Sequence, residues 1–279
     1  MILSAGTLVA DGHPIGPGWV EVDGDRITAT GAGTPPTAPD VDLGDAVLVP
    51  GFVDMHVHGG AGAAFPDGDP DAAMRAVRFH RAHGSTTMMA SLVAAGPDDL
   101  LKAVDALADL VVDGELAGVH LEGPWLAAGR CGAHDPHQLR DPDPDELERL
   151  LRAGGGVVRM VTLAPERTGG IDAVRQITGA GAIAALGHTD ASYVLTRTAI
   201  EAGARVGTHL FNAMAPVHHR EPGPAVALLE DPRVTVELVT DGLHVHPALW
   251  EHVVRTAGTE RVAAVTDAMA AAGMPDGQY

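Results

Sequence analysis

Two histidines one residue apart, His56 and His58 in VLVPGFVDMHVHGG (47–60), are the first residues whose type and spacing can do chemistry. In an extended chain, alternate side chains leave the same face about 7 Å apart along the strand, so both imidazoles point the same way. Neutral imidazole is the commonest nitrogen ligand for zinc and its neighbours. The apolar run before the pair (Val47, Leu48, Val49, Phe52, Val53) reads as a buried strand, and Gly59-Gly60 ends it in a loop. Taken alone, the pair fits a metal site or two surface histidines on an edge strand. The same placement, an ionisable residue closing an apolar stretch, recurs at Glu122, His188, His209, Asp241 with His244, and Asp267. Each by itself fits a capped strand end. Their repetition changes the reading, because burying Glu122 and Asp267 together without a cation is costly.

What must position them is a series of alternating elements. Apolar strands are predicted at 47–58, 85–93, 116–123, 157–166, 182–189, 204–212, 234–242 and 261–269, with helical segments at 72–84, 98–110, 143–154, 171–181, 192–203, 225–231 and 247–258. In the second of these helices Leu100, Leu101, Val104, Leu107, Ala108 and Val111 fall on one face. Eight βα steps in about 230 residues predict a (β/α)8 TIM barrel spanning 50–279, and such barrels carry their chemistry at the C-terminal ends of the strands. An open doubly wound sheet is the alternative, but it has no use for an eighth strand ending in acid. Residues 1–49 read as a small β domain, with a hairpin turning at Asp23-Gly24 and a Pro-rich stretch after it.

Composition bounds the partners. The 279 residues are 46% apolar and carry a formal net charge of −19. That balance disfavours nucleic acid and anionic membrane surfaces, both of which need clustered Lys and Arg. An anionic substrate therefore needs a local positive pocket. No apolar run approaches the roughly 18 residues of a membrane helix, and the N-terminus lacks a secretory pattern, so a cytoplasmic location is expected. The single cysteine, Cys131, cannot close an intramolecular disulfide, as suits a reducing compartment.

The motifs PGFVDMHVHG, GVHLEGPW, LGHTDA, GTHLFNAM, DGLHV and VTDAM together resemble the amidohydrolase superfamily, and within it the N-acetylglucosamine-6-phosphate deacetylase family. Many two-metal amidohydrolases bridge their metals with a carboxylated lysine on the fourth strand. Here the only lysine is Lys102, inside a helix, which disfavours a dihydroorotase or hydantoinase type of site. The resemblance implies that Glu122, His188 and His209 hold a main divalent metal, with His56 and His58 holding a second. One or two metals per chain are expected: zinc, with iron, cobalt and manganese also suited to these ligands. It implies Asp267 as the proton acceptor and donor, the alternative being a partner that only orients a ligand histidine. His134 is implied as a donor to the reacting carbonyl.

For a sugar phosphate, the resemblance points to Asn212, Ala213 and His244, and to Arg220 reaching into the site of a second subunit, hence a homodimer. A solvated loop charge is the alternative for Arg220. Cys131 shares a loop with His134 and is a candidate for tuning loop closure or for oxidation sensitivity. The implied reaction is hydrolysis of the acetamide of N-acetylglucosamine 6-phosphate in amino-sugar catabolism and cell-wall recycling. A different amide or cyclic-amide hydrolase and a catalytically inactive scaffold are the competing readings. The family continues for about a hundred residues beyond position 279, so this chain is expected to lack the last barrel helix and the second half of the small β-sandwich.

Overall fold

The computed structural model describes residues 1–277, and two compact units divide it after Phe52. In the first, β1 (Ile2–Ala5), β4 (Gly18–Asp23), β5 (Arg26–Ala32) and β6 (Val41–Asp42) make a sheet of order β5-β4-β1-β6. A second sheet has the order β3-β2-β7, from β2 (Thr7–Ala10), β3 (His13–Ile15) and β7 (Val47–Leu48). The β4–β5 hairpin turns at Gly24, whose φ of 59° suits a residue without a Cβ.

The second unit is an eight-stranded parallel sheet that curls into a nearly closed barrel. Its strands are β8 (Phe52–Val57), β11 (Ser85–Leu92), β12 (Gly118–Glu122), β13 (Val158–Leu163), β14 (Ile183–Leu186), β15 (Val206–Gly207), β16 (Thr235–Val239) and β17 (Val262–Val265), neighbours in that order. A two-residue pair, β9 (Gly59–Gly60) with β10 (Ala63–Ala64), follows the first of them. The helices are α1 (Pro70–Ala82), α2 (Pro97–Val112), α3 (Pro144–Arg152), α4 (Gly170–Gly179), α5 (Tyr193–Ala202), α6 (Gly223–Glu230) and α7 (Pro247–Ala257). Sequence explains several starts. Asp-Pro opens α1 and α3, where the carboxylates of Asp69 and Asp143 accept from first-turn amides and proline fills a position that needs no donor. Among the described residues no helix is long and apolar enough to cross a membrane.

Strand alternation sorts the side chains. In β12, Val119 and Leu121 join the large apolar cluster that includes Val104 and Leu107 of α2, whereas His120 and Glu122 take the other face. The inside of the barrel holds a small apolar layer of Met89, Met160, Ala185 and Val206, with Met55 against it. A polar chain also crosses the interior: Ser91 Oγ to His120 Nδ1 (2.9 Å), His120 Nε2 to Thr162 Oγ1 (2.8 Å), and Thr162 to Thr208 (2.9 Å).

The first and last strands meet without a shared ladder. The Asp54 carboxylate accepts the Thr266 hydroxyl at 2.6 Å and its amide at 3.3 Å, the Asp267 amide donates to the His56 carbonyl (2.9 Å), and the amides of His58 and Gly59 donate to the Ala268 carbonyl. We call this junction the seam.

Two expectations need correction. The run 47–58 is not one buried strand: Val47 and Leu48 pair with Thr7 and Leu8 in a separate sheet, and Val47, Val49, Phe52 and Val53 are exposed. Pro50-Gly51 interrupts the ladder, and an apolar run does not specify which sheet receives it. The sixth barrel strand, expected over 204–212, is only Val206–Gly207. The chain leaves the extended region there, with φ of 26° at His209, 77° at Phe211 and 49° at Ala213.

Candidate metal centre and active site

Glu122, at the end of β12 and almost fully buried, is the hub. Its Oε1 lies 3.1 Å from His188 Nε2, 3.0 Å from His209 Nε2 and 3.4 Å from His56 Nε2. Its Oε2 lies 3.2 Å from His58 Nε2 and 3.1 Å from His134 Nε2. Asp267 Oδ1 completes the set, 3.3 Å from the Nε2 atoms of both His56 and His58. The structure thus brings together seven residues expected from the sequence: His56, His58, Glu122, His134, His188, His209 and Asp267.

The outer nitrogens fix the tautomers. His56 Nδ1 contacts Glu237 Oε2 (2.9 Å), His58 Nδ1 the Ser91 carbonyl (3.1 Å), and His188 Nδ1 the Arg130 carbonyl (2.7 Å). These oxygens only accept, so each Nδ1 carries the proton and each Nε2 presents a lone pair. Two such lone pairs, on His56 and His58, face one another at 3.1 Å, with Glu122 and Asp267 oxygens beside them. With both rings neutral, four acceptors converge with no donor between them, an arrangement that a cation resolves. At the other oxygen of Glu122, His188 Nε2 and His209 Nε2 are 3.0 Å apart. The imidazole and carboxylate donor set fits a divalent metal, and no Lys or Arg ion-pairs with Glu122, Glu237 or Asp267 among the described residues.

His134 differs. Distance alone groups it with Glu122 and His188, but its Nδ1 accepts the Ala94 amide at 3.2 Å, so Nε2 carries the proton and faces the site as a donor. Strained backbone accompanies the cluster: His188, His209 and Asp267 all have positive φ (48°, 26° and 49°), a conformation that persists where surrounding contacts over-determine it. For His188 the Thr189 hydroxyl and the Asp190 amide both donate to Glu166, each at 2.6 Å. Gly132 passes so close that a Cβ there would lie 3.1 Å from the His188 ring.

Electrostatics follow from burial and pairing. Burial acts to raise the pKa of Glu122, but the imidazoles of His56, His134, His188 and His209 outweigh it and hold the carboxyl well below its usual range. For Asp267, too, burial acts upward and is outweighed, here by the His58 contact and the charge of His56, leaving the net shift downward. Burial lowers the pKa of His120 far enough to keep it neutral, as its role in the hydroxyl chain requires. For His56 burial acts downward, but Glu122 and Glu237 reverse the sign.

The expected substrate residues lie elsewhere. Asn212 and Ala213 occupy the turn after His209, half-buried; Asn212 Nδ2 donates to the His209 carbonyl at 3.3 Å, and the Ala213 carbonyl accepts the Thr189 amide. His244 is exposed and Nδ1 meets Asp241 at 2.6 Å; Asp241, which also accepts the amides of His244 and Leu243, has its pKa lowered to about 2. Arg220 is exposed in the loop before α6, and neither it nor His244 shares a hydrogen bond or ion pair with the cluster. Cys131 is half-buried and free, with its carbonyl accepting the His134 amide.

Several site residues were missed from sequence. Glu237 stands as a lone charge in the apolar VTVELV, and Asp54 and His120 share strand faces with His56 and Glu122 respectively. Applying the two-residue alternation to the candidate ligands would have found Asp54 and His120, and the lone charge in an apolar strand marks Glu237.

A model of the amidohydrolase family matches residues 47–276. The N-acetylglucosamine-6-phosphate deacetylase of Vibrio furnissii is 38% identical over 246 residues, covering 87% of this chain and 61% of that protein. The N-acetylgalactosamine-6-phosphate deacetylase of Escherichia coli O157:H7 is 37% identical, covering 84% and 63%. This chain therefore spans less than two thirds of the length of either. Among solved structures, a mutant N-acetyl-D-glucosamine-6-phosphate deacetylase from Mycobacterium smegmatis, in complex with N-acetyl-D-glucosamine-6-phosphate, superposes with a TM-score of 0.98 at 57% identity, covering all of this chain and 73% of that one.

Proposed function

The chain belongs to the amidohydrolase family, and on that premise we propose that it hydrolyses the acetamide of N-acetyl-D-glucosamine 6-phosphate to glucosamine 6-phosphate and acetate. The observation that carries this reading is the convergence of Glu122, the Nε2 atoms of four imidazoles and the Asp267 carboxylate at one barrel mouth. The sugar phosphate bound to the Mycobacterium smegmatis relative supports the substrate class. In this reading the enzyme is cytoplasmic and serves amino-sugar catabolism and cell-wall recycling.

Glu122, His188 and His209 would hold one divalent metal, and His56 and His58 would serve a second; zinc suits this nitrogen and carboxylate set. A divalent cation held there supplies Lewis acidity, polarising the acetyl carbonyl and lowering the pKa of water from about 16 to about 7. Asp267 accepts the proton of the attacking water and returns it to the amide nitrogen as the C–N bond breaks. His134 donates from Nε2 to the carbonyl oxygen as it gains charge. Asn212, the backbone of Ala213 and His244 bind the sugar phosphate. Arg220 supplies a guanidinium fork to the phosphate in the partner subunit's site, which makes the working enzyme a homodimer. Cys131, beside His134, makes that loop sensitive to oxidation.

The test is turnover by the full chain of N-acetylglucosamine 6-phosphate, its galactosamine epimer and unphosphorylated N-acetylglucosamine, with metal content determined on the same sample. Preferred turnover of the phosphorylated glucosamine sugar by a protein holding one or two metals supports the reading. Metal-loaded protein that releases no acetate from any of the three refutes it.

A further inference from the structure

We infer that Glu237 is a positioning residue for the metal centre: from one buried carboxylate it fixes the ring of His56 and the turn at His209, and so sets how tightly the centre holds its cation. This rests on the reading of the cluster as a metal site. Glu237 lies in β16 between Val236 and Leu238, which pack into the large apolar cluster, while its own side chain turns to the barrel interior with no exposure at all.

Its two oxygens are used unequally. Oε2 accepts His56 Nδ1–H at 2.9 Å and the His209 amide at 3.1 Å, whereas Oε1 has no partner. A carboxylate buried with half its acceptors empty is unfavourable unless positive charge lies close by. The group it touches is the imidazole of His56, whose far nitrogen faces Glu122 and Asp267. A carboxylate behind a ligand imidazole holds the ring in one tautomer and makes the far nitrogen more basic, and removing such a partner weakens metal binding about 10–100-fold.

The second contact acts on the backbone. His209 follows a two-residue strand and sits at a φ of 26°, where no sheet ladder holds it. Its amide is anchored by Glu237, and the next amide, that of Leu210, by the Glu237 carbonyl at 2.8 Å. One residue therefore clamps two histidines of the cluster that come from the first and the sixth strands of the barrel.

The experiment is a cobalt(II) titration of metal-stripped full chain, followed by its visible absorption and by competition with a chromophoric chelator, for wild type, Glu237→Gln and Glu237→Asp. Thermal melting of the metal-free forms runs beside it. Glutamine keeps the shape and an acceptor oxygen but loses the charge. The expected result is an apparent Kd for Glu237→Gln raised about 10–100-fold with a shifted cobalt spectrum. Its metal-free Tm should stay close to that of wild type, because the glutamine oxygen still accepts from both His56 Nδ1–H and the His209 amide. Glu237→Asp, which keeps the charge and withdraws it by one methylene, should bind with intermediate affinity. A lowered metal-free Tm with a Kd within about twofold of wild type would show a purely structural role and overturn the inference. Wild type that takes up no cobalt would overturn the metal reading and this inference with it, whereas equal binding by wild type and Glu237→Gln overturns the inference alone.

Discussion

Replacing Asp267 by asparagine isolates the proton transfer from the architecture. Asp267 stands at a φ of 49°, a left-handed conformation that asparagine tolerates better than other non-glycine residues, so the backbone is left as it was. Alanine lacks that tolerance, and at this position it adds strain of about 1–2 kcal/mol. The Asp267 side chain is one quarter exposed, with Oδ1 3.3 Å from His56 and His58, so it touches the histidine pair and is also open to solvent. Burial acts upward, but the His58 contact and the charge of His56 hold its pKa below the ordinary value, so the carboxylate is ionised at neutral pH and able to accept a proton. A positioned general base contributes about 10²–10⁴-fold, which at 1.36 kcal/mol per decade is roughly 2.7–5.4 kcal/mol of transition-state stabilisation. Asp267→Asn should therefore lose that much in kcat while KM moves by less than about threefold, since an interaction made only in the transition state leaves ground-state binding alone. The measurement is steady-state acetate release by the full chain, with metal per chain and Tm recorded for wild type, Asp267→Asn and Asp267→Ala. Asn should match wild type in both metal content and Tm, and Ala should melt lower. A kcat for Asp267→Asn within tenfold of wild type, at full metal occupancy, would show that the proton is carried by another group.

His134→Ala removes one donor to the developing oxyanion and should lower kcat by about 10²–10³-fold at unchanged metal content; retention of more than a tenth of the wild-type kcat would remove His134 from that role. Arg220→Ala should raise KM at least tenfold for the phosphorylated sugar and leave the weak turnover of unphosphorylated N-acetylglucosamine unchanged; equal effects on both would make Arg220 a solvated loop charge. Chelation should lower Tm, because a ligand present at a hundred times its Kd stabilises by about 2.7 kcal/mol, which is roughly 5–10 °C for a domain of this size. A melting curve indifferent to chelator would count against a metal bound to the folded state.

The barrel was legible because its signals are local: helical apolar faces, and strands closed by ionisable residues. Six of the seven residues of the central cluster followed from that reading; His134, on a loop, came only from the family resemblance. What was not legible depends on which face or sheet a residue enters. Val47 and Leu48 have the composition of a barrel strand, yet they pair with β2, and nothing in an apolar run encodes its partner. The shortness of β15 was hidden because ARVGTHLFN has strand composition, while the positive φ values after Gly207 are imposed by the contacts of His209 with Glu122 and Glu237. Glu237, His120 and Asp54 escaped notice because a charge inside an apolar strand looks like an interruption until the strand's two faces are told apart.

The seam also has a consequence for timing. Asp54 and Thr266 are 212 residues apart, and at a synthesis rate of about 5–20 residues per second the second follows the first by roughly 10–40 s. Until Thr266 emerges, Asp54 has no hydroxyl to accept, and the His56 carbonyl lacks the Asp267 amide. Throughout that interval His56 and His58 exist in a nascent chain without Asp267, so any metal they meet is held by an incomplete set of groups. The strand that closes the barrel is therefore also the one that delivers Asp267, and a chain not yet closed lacks that carboxylate at the site.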